Sequence, residues 1–430
     1  MSKINPKDIV KNCIQQIKSI HLNWIEINAY LFKWIPFSVI VGLIVGIVAS
    51  LFDLALIKIN ALISNHTAII ILYALFVATL TGILSKNDER MMGPGINYIL
   101  SRDKNDITFV SFIKKTILSL FALAGVFVAG REGPSFFLGS YLSSSTANIF
   151  KISEKFERIV GLIGAGAFTA ALLKAPLGAA VFVLEIRYVN DMEYEGFPQV
   201  LIASIVSYSV FAFLRGKHSL LTINGNLNWH IPTLIYLVLT GIFIAVASYI
   251  FISLYYFAKC NSAYLKTTIR PLVGVLLALP IIVTLAHEHN LHLISASVNY
   301  LALTKLSIQL IPINKTILLI LATMLLVSLT VGFGISGGLI LPSLIIGALI
   351  GNGVASIFNL NPTLFALSGM AAFLSASAKT PLAAIILVLE ISQTDLIIPL
   401  TTCVVVSYIL SYGVGVYSSQ KECKLKLNQN

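Results

Sequence analysis

A chain of 430 residues that is 57% hydrophobic and only 11% charged, with a mean hydropathy of +0.90, is too apolar to be a soluble globular protein. Its formal net charge of +11 does not point to nucleic acid, because the basic residues gather in the ends and short loops, as on the cytoplasmic face of a polytopic membrane protein. Cys13, Cys260, Cys403 and Cys423 form no metal-type spacing, so neither a metal nor a cofactor is expected.

The opening, Met1 to Lys33, is polar and carries Lys3, Lys7, Lys11 and Lys18. It predicts a cytoplasmic helical region lying near the membrane surface, and it lacks the apolar start of a secretory signal. Trp34 to about Ile63 reads as a long span, Thr67 to Ser85 as a second, and Lys86 to Arg90 as a charged loop on the cytoplasmic side. Asp53, the one acid of the first span, is expected to end a helix or to pair with a lysine such as Lys58, and carries no functional weight. Gly93-Pro94-Gly95-Ile96-Asn97 marks a break at a membrane boundary before a span from Ile107 to Ala129. After Lys151 to Arg158, a charged loop, Ile159 to Leu173 and Leu177 to Val189 are short for a crossing of about 20 residues. Asn190 to Glu195 reads as an acidic loop on the outer side. Phe197 to Leu214, Ile231 to Phe257, Pro271 to Ala286 and Lys315 to Phe333 are further spans. His287, Glu288, His289 and His292 fall in a polar loop with nothing to complete a ligand frame. Ser343 to Phe358, Pro362 to Ala378 and Leu382 to Ile391 are again short, and Asp395 to Val416 closes the membrane part. Residues 34–420 are thus one transmembrane domain, with a brief cytoplasmic tail over 421–430.

The chain is organised around Gly130-Arg131-Glu132-Gly133-Pro134. Between Lys115 and Lys151 the only charged residues are Arg131 and Glu132. An ionisable pair in membrane-length apolar sequence is costly, and marks a functional site more often than not. Gly130 and Gly133 allow close backbone approach, and Pro134 suits the first turn of a new helix. Such a helix would turn its free N–H groups and positive dipole end toward an anion.

An internal repeat strengthens this reading. Gly164 to Ile186 and Gly369 to Ile391 align without gaps and agree at 12 of 23 positions, including Lys, Pro and the closing Leu-Glu-Ile. Each copy follows a glycine-rich break, Gly130 to Pro134 and Gly334 to Pro342. The halves run over about 34–214 and 231–420. Broken helices at corresponding places in two halves point to a transport site at the membrane midplane.

Three motifs in order resemble those of the CLC family of chloride channels and anion/proton exchangers, of the prokaryotic type without cytoplasmic regulatory domains. The family's GSGIP stands here as Gly93 to Asn97, its G(K/R)EGP as Gly130 to Pro134, and its GxFxP as Gly338 to Pro342, with a tyrosine, Tyr417, at the start of the tail. The resemblance implies an all-α polytopic membrane protein built from two inverted-topology repeats of tilted, broken helices. It implies a homodimer in the lipid bilayer, each subunit carrying its own pathway for chloride or another small monovalent anion. Backbone N–H groups of Arg131, Glu132, Gly133, Leu339, Ile340 and Leu341 would line that pathway, and the Tyr417 hydroxyl would donate to the central anion. Glu132 would be the gate and outer proton acceptor. The expected activity is exchange of chloride for protons in a prokaryotic inner membrane, with a passive voltage- or pH-gated chloride channel as the alternative.

Two departures bear on selectivity and coupling. Pro94 replaces the serine that donates to the central anion, as it does in plant vacuolar exchangers that prefer nitrate. The position of the family's inner proton glutamate falls on Ile186, leaving the adjacent Glu185 as a candidate inner relay, its repeat counterpart being Glu390. Ile340 also replaces the Phe of GxFxP. A remote enzymatic reading is an intramembrane serine protease built on Gly334-Ile335-Ser336-Gly337. It needs a later histidine, and none follows His292.

Overall fold

The computed structural model describes residues 6–63, 66–101, 107–217, 219–221, 223, 227, 229–287, 301–413 and 415–421, with side chains of the first helix described from residue 32. The described residues form α1 (Pro6–Leu62), α2 (Thr67–Leu84), α3 (Ile96–Ser101), α4 (Phe109–Leu123), α5 (Glu132–Ile149), α6 (Glu157–Leu173), α7 (Pro176–Glu185) and α8 (Phe197–Arg215). After these come α9 (Thr233–Ser262), α10 (Arg270–His287), α11 (Leu301–Ile308), α12 (Ile313–Thr330), α13 (Ile340–Phe358), α14 (Pro362–Ala378), α15 (Pro381–Ser392) and α16 (Ile397–Leu410). Among the described residues eight helices are long and apolar enough to cross a membrane, while α7, α14, α15 and α16 are apolar but shorter. The fold is all-α, as expected.

The repeat is visible in the geometry as well as in the letters. Lys174 and Lys379 both end a helix in the left-handed region, with φ 52° and 60°. Each is followed by a Pro-led helix, α7 or α15. A left-handed residue closes the first helix and a proline pre-set for helical φ opens the next, so the chain turns within three residues. The paired long helices pack through glycine: Gly139 of α5 lies against the Gly164 carbonyl of α6, and Gly347 of α13 against the Gly369 carbonyl of α14. Without a side chain at these crossings the axes approach closely, which in a lipid environment supplies packing that burial from water cannot. The four helices α5, α6, α13 and α14 form the buried centre, and the lipid-facing sides of α1, α2, α9, α10 and α12 expose Leu, Ile and Phe.

Several expectations are corrected. Helix α1 runs from Pro6 straight past Lys33, so no helix boundary separates the basic opening from the first span. Asp53 neither ends a helix nor meets Lys58; it is buried inside α1 and accepts from Arg131 at 3.0 Å and Arg215 at 2.9 Å. The last helix stops at Leu410 rather than Val416, because Gly413 takes φ 123° and the chain leaves the helix. A short helix, α11, stands where no element was expected. The loop at 190–195 does not lie across the membrane from the tail. Val189 N–H donates to the Lys421 carbonyl at 2.9 Å, and Lys421 N–H to the Arg187 carbonyl at 2.9 Å. The loop and the tail therefore share one side, and its acids pair with Arg158 at 3.2 and 3.3 Å. Glu288, His289 and His292 lie outside the described residues, as does the tail beyond Lys421.

Candidate functional site

The two glycine-rich breaks meet. Gly130 and Gly338 pair as an isolated antiparallel bridge, exchanging N–H to carbonyl bonds at 2.9 and 2.7 Å. Both therefore lie at one register, 338 − 130 = 208 positions apart, so that Ile340 stands in the second half where Glu132 stands in the first. The bridge places Arg131 as the N-cap of α5 and Leu339 as the N-cap of α13. Two helix N-termini thus converge on one point, with the expected donors Glu132, Gly133, Ile340 and Leu341 in their first turns. The third break joins them: Gly93 N–H donates to the Gly334 carbonyl at 3.0 Å, and Gly95 packs on the Gly133 carbonyl.

The Glu132 side chain is fully buried and folds back between the breaks. Its Oε1 accepts a short bond from Ile340 N–H, and the Leu341 N–H also faces the carboxylate. The carboxylate lies so close to Gly130 and Gly338 that a Cβ on either would overlap it. Hydrogen at both positions is what lets the side chain fit. The carboxylate is held by N–H groups and the positive end of α13 rather than by a cation, a setting suited to a negative charge. Among the described residues neither its Oε2 nor the nearby Tyr417 hydroxyl, also buried, has a hydrogen-bond partner. The Tyr417 hydroxyl lies within electrostatic reach of Glu132 and of the Leu339 backbone.

Tyr417 is placed by a strap that the sequence reading did not foresee. Beyond α16 the chain runs along α9, where Tyr249 donates to the Tyr412 carbonyl at 2.7 Å, Tyr256 to the Gly415 carbonyl at 3.0 Å, and Lys259 to Ser418 Oγ at 3.2 Å. Gln420 then donates to the carbonyls of Ile186 and Ala378 at 3.0 and 2.9 Å. The spacing 249, 256, 259 lies on one face of a helix, a signal that polar residues in a span could have offered.

Pro94 lies in the wall of a cavity of about 600 Å³ that opens between the loop at 89–98, α9 and the strap. Arg90, Lys259 and Arg270 line it against one acid, Glu89. At its rim burial works to raise the Asp88 carboxyl, but bonds from Arg90 and Ser111 outweigh this and hold it below the usual carboxylate range. Arg90 pairs with Asp88 at 2.6 Å and Arg270 with Glu89 at 3.4 Å, so the cavity is a vestibule with only a small positive balance, and it ends at the Gly93–Gly95 break. That break is held from below by Lys115, fully buried, whose Nζ donates to the Met91 and Gly93 carbonyls at 2.9 Å each. One turn on, Ser119 meets Ser336 Oγ at 3.0 Å. Ser336 is thus part of this packing, and among the described residues no histidine is bonded to it.

Glu185 sits apart from the vestibule. Its carboxylate accepts from Leu382 N–H at 3.1 Å and Ala383 N–H at 2.7 Å, the first turn of α15. Glu390 does the same for Leu177 and Gly178 of α7, at 3.0 and 2.6 Å. Each glutamate caps the other half's helix.

A sequence profile described as "Voltage gated chloride channel" matches residues 89–412. The chain belongs to the voltage-gated chloride channel family. It is 24% identical over 406 residues to a chloride/fluoride channel protein of Pseudomonas syringae pv. tomato, covering 92% of this chain and 88% of that one. It is 27% identical over 330 residues to the H(+)/Cl(-) exchange transporter ClcA of Vibrio parahaemolyticus, covering 71% and 68%. Among solved structures a CLC-type fluoride/proton antiporter superposes with a TM-score of 0.80 at 20% identity, over 91% of this chain and 98% of the other.

Proposed function

We propose that the protein is an integral membrane anion transporter that exchanges chloride, or a related small monovalent anion, for protons, with Glu132 as gate and outer proton acceptor. The observation that carries the proposal is the Glu132 carboxylate seated on the α13 N-terminus beside the Tyr417 hydroxyl. Ionised, the carboxylate occupies the anion's place and blocks it. Protonated, it loses its hold on the N–H groups and gives way, carrying a proton. An anion held by N–H dipoles and a hydroxyl, with no fixed cation, can also leave. Pro94, without a hydroxyl or N–H to donate, weakens the preference for chloride over less strongly hydrated anions such as nitrate. The working unit is a homodimer in the inner membrane of a prokaryote, each subunit with its own pathway. The named relatives point both ways, one an exchange transporter and one a channel protein.

A passive channel is the second reading. Ile186 cannot hold a proton, and both Glu185 oxygens are occupied by α15, so the inner relay assigned to Glu185 competes with a structural role. The test is purified protein in proteoliposomes with a chloride gradient and no pH gradient. An exchanger drives protons uphill, opposite to chloride, and the Glu132→Gln variant carries chloride without pH dependence and without protons. The same vesicles with nitrate or fluoride rank the anions. Robust chloride flux in the unmutated protein with no proton movement leaves the channel.

A further inference from the structure

We infer that the Tyr255 hydroxyl is a further hydrogen-bond donor to the transported anion, placed where the vestibule gives way to the Glu132 site, and that it fills part of the role Pro94 cannot. The inference rests on the reading that anions reach Glu132 past the Gly93–Gly95 break.

Helix α9 brings Tyr249, Tyr255 and Tyr256 to this region. The hydroxyls of Tyr249 and Tyr256 are engaged, since they donate to the strap carbonyls of Tyr412 and Gly415. Tyr255 is one residue from Tyr256 and so about 100° round the helix. It shares a face with Phe251, Ala258 and Ser262, all buried. Only 1% of Tyr255 is exposed. Its ring packs on Phe251 with centroids 6.5 Å apart, and Phe251 in turn meets Phe373 of α14 at 5.8 Å. Those contacts fix where the hydroxyl stands.

Buried as it is, Tyr255 lines the same cavity as Pro94, together with Gly332 and Gly334 beside the second break. A buried tyrosine ordinarily finds a partner for its hydroxyl, because an unpaired polar group out of water is costly. Among the described residues no group bonds the Tyr255 hydroxyl. Ser262, the other buried hydroxyl of this wall, donates to the Lys259 carbonyl at 2.8 Å. The Tyr255 hydroxyl is within electrostatic reach of the Tyr417 hydroxyl, and Tyr417 is within reach of Glu132. Tyr255 thus stands on the cavity side and Tyr417 on the gate side, and neither hydroxyl is spent on the protein. Pro94, in the same wall as Tyr255, has no donor to offer.

A neutral O–H suits this place for the reason that N–H groups suit the gate. It holds an anion without a fixed charge that would keep the anion from leaving. Chloride is more strongly hydrated than nitrate, gives up more on leaving water, and so depends more on each donor. Tyr255 therefore raises chloride affinity and favours chloride over nitrate.

The experiment measures chloride and nitrate binding by calorimetry on the purified full-length protein, unmutated and as Tyr255→Phe, Pro94→Ser and the two combined, each first shown to be monodisperse. Tyr255→Phe keeps the ring and its packing on Phe251 and removes only the hydroxyl. The expected result is chloride binding weaker by about tenfold in Tyr255→Phe, with nitrate weakened less. Adding Pro94→Ser should recover most of the loss, because it returns a hydroxyl to the same wall. A role in packing alone would lower the unfolding temperature, leave the chloride-to-nitrate ratio in place and gain nothing from Pro94→Ser. Unchanged chloride affinity and ratio in Tyr255→Phe overturn the inference. If Pro94→Ser alone still shifts the ratio, the path past the break stands without Tyr255. If neither variant shifts it, that path falls and the inference falls with it. Chloride efflux from proteoliposomes across pH for Glu132→Gln reports the gate separately, so a flattened profile there keeps the gate when Tyr255→Phe overturns the donor.

Discussion

At Gly130 the nearest atoms to an added Cβ all belong to one flexible group, the Glu132 carboxyl. Gly338 differs, because backbone of Gly133 also crowds it. The contrast yields a residue-scale test. Gly130→Ala can be accommodated by moving the Glu132 side chain alone, so the methyl group should push the carboxylate off the α13 N-terminus in a folded protein. Chloride flux near neutral pH should rise toward that of Glu132→Gln and lose most of its pH dependence, and adding Glu132→Gln to Gly130→Ala should change little more. A folded Gly130→Ala protein with an unaltered pH profile would place the gate elsewhere. At this scale the sequence was informative where a residue type is rare in its setting. Arg131 and Glu132 stand out because ionisable groups in apolar runs are costly. Asp53 is equally rare in its span, but its partners lie 78 and 162 positions away. Neither distance leaves a mark on the local pattern.

Between elements, the repeated Leu-Glu-Ile showed that Glu185 and Glu390 hold equivalent places. What it could not show is that each reaches across to the other half. The carboxylates occupy the first-turn N–H groups of α15 and α7, which follow Thr380 and Ala175, neither of which supplies a side-chain cap. A negative group at a helix N-terminus satisfies orphan N–H groups and complements the dipole. Losing the charge should cost about 0.5–2 kcal/mol per helix. The symmetry makes a sharp comparison possible. Glu185→Gln and Glu390→Gln should lower the unfolding temperature in detergent by similar amounts and leave the proton-to-chloride ratio untouched in both. A lowered ratio in Glu185→Gln alone would assign it the inner relay after all. The strap was the element least legible in advance. Its order comes from hydroxyl and ammonium groups on α9, not from any periodicity of its own, so apolar Asp395 to Val416 looked like one continuous span.

For the whole molecule, hydropathy and the spaced motifs were enough to read an all-α fold of broken helices in two halves, because membrane burial forces backbone hydrogen bonds inward and leaves few architectures. Sidedness was harder, since short loops with mixed charge give a weak signal. The acidic loop at 190–195 looked external, yet three contacts chain it to the basic face. Val189 and Arg187 pair with Lys421, the strap ahead of Lys421 lines the vestibule at Ser418 and Ser419, and Glu89 and Arg90 line the same vestibule. A single orientation must therefore hold for all of them, with the α1–α2 connection at the opposite end of the 18-residue α2. In a background lacking the four native cysteines, Lys86→Cys, Tyr194→Cys and Ser418→Cys should react with a membrane-impermeant maleimide from one side only, the cytoplasmic one, and His66→Cys from the other. Tyr194 and His66 are exposed, so reactivity reports side rather than burial. Labelling of Tyr194→Cys together with His66→Cys would separate the loop from the tail and undo the placement of the vestibule on the positive face.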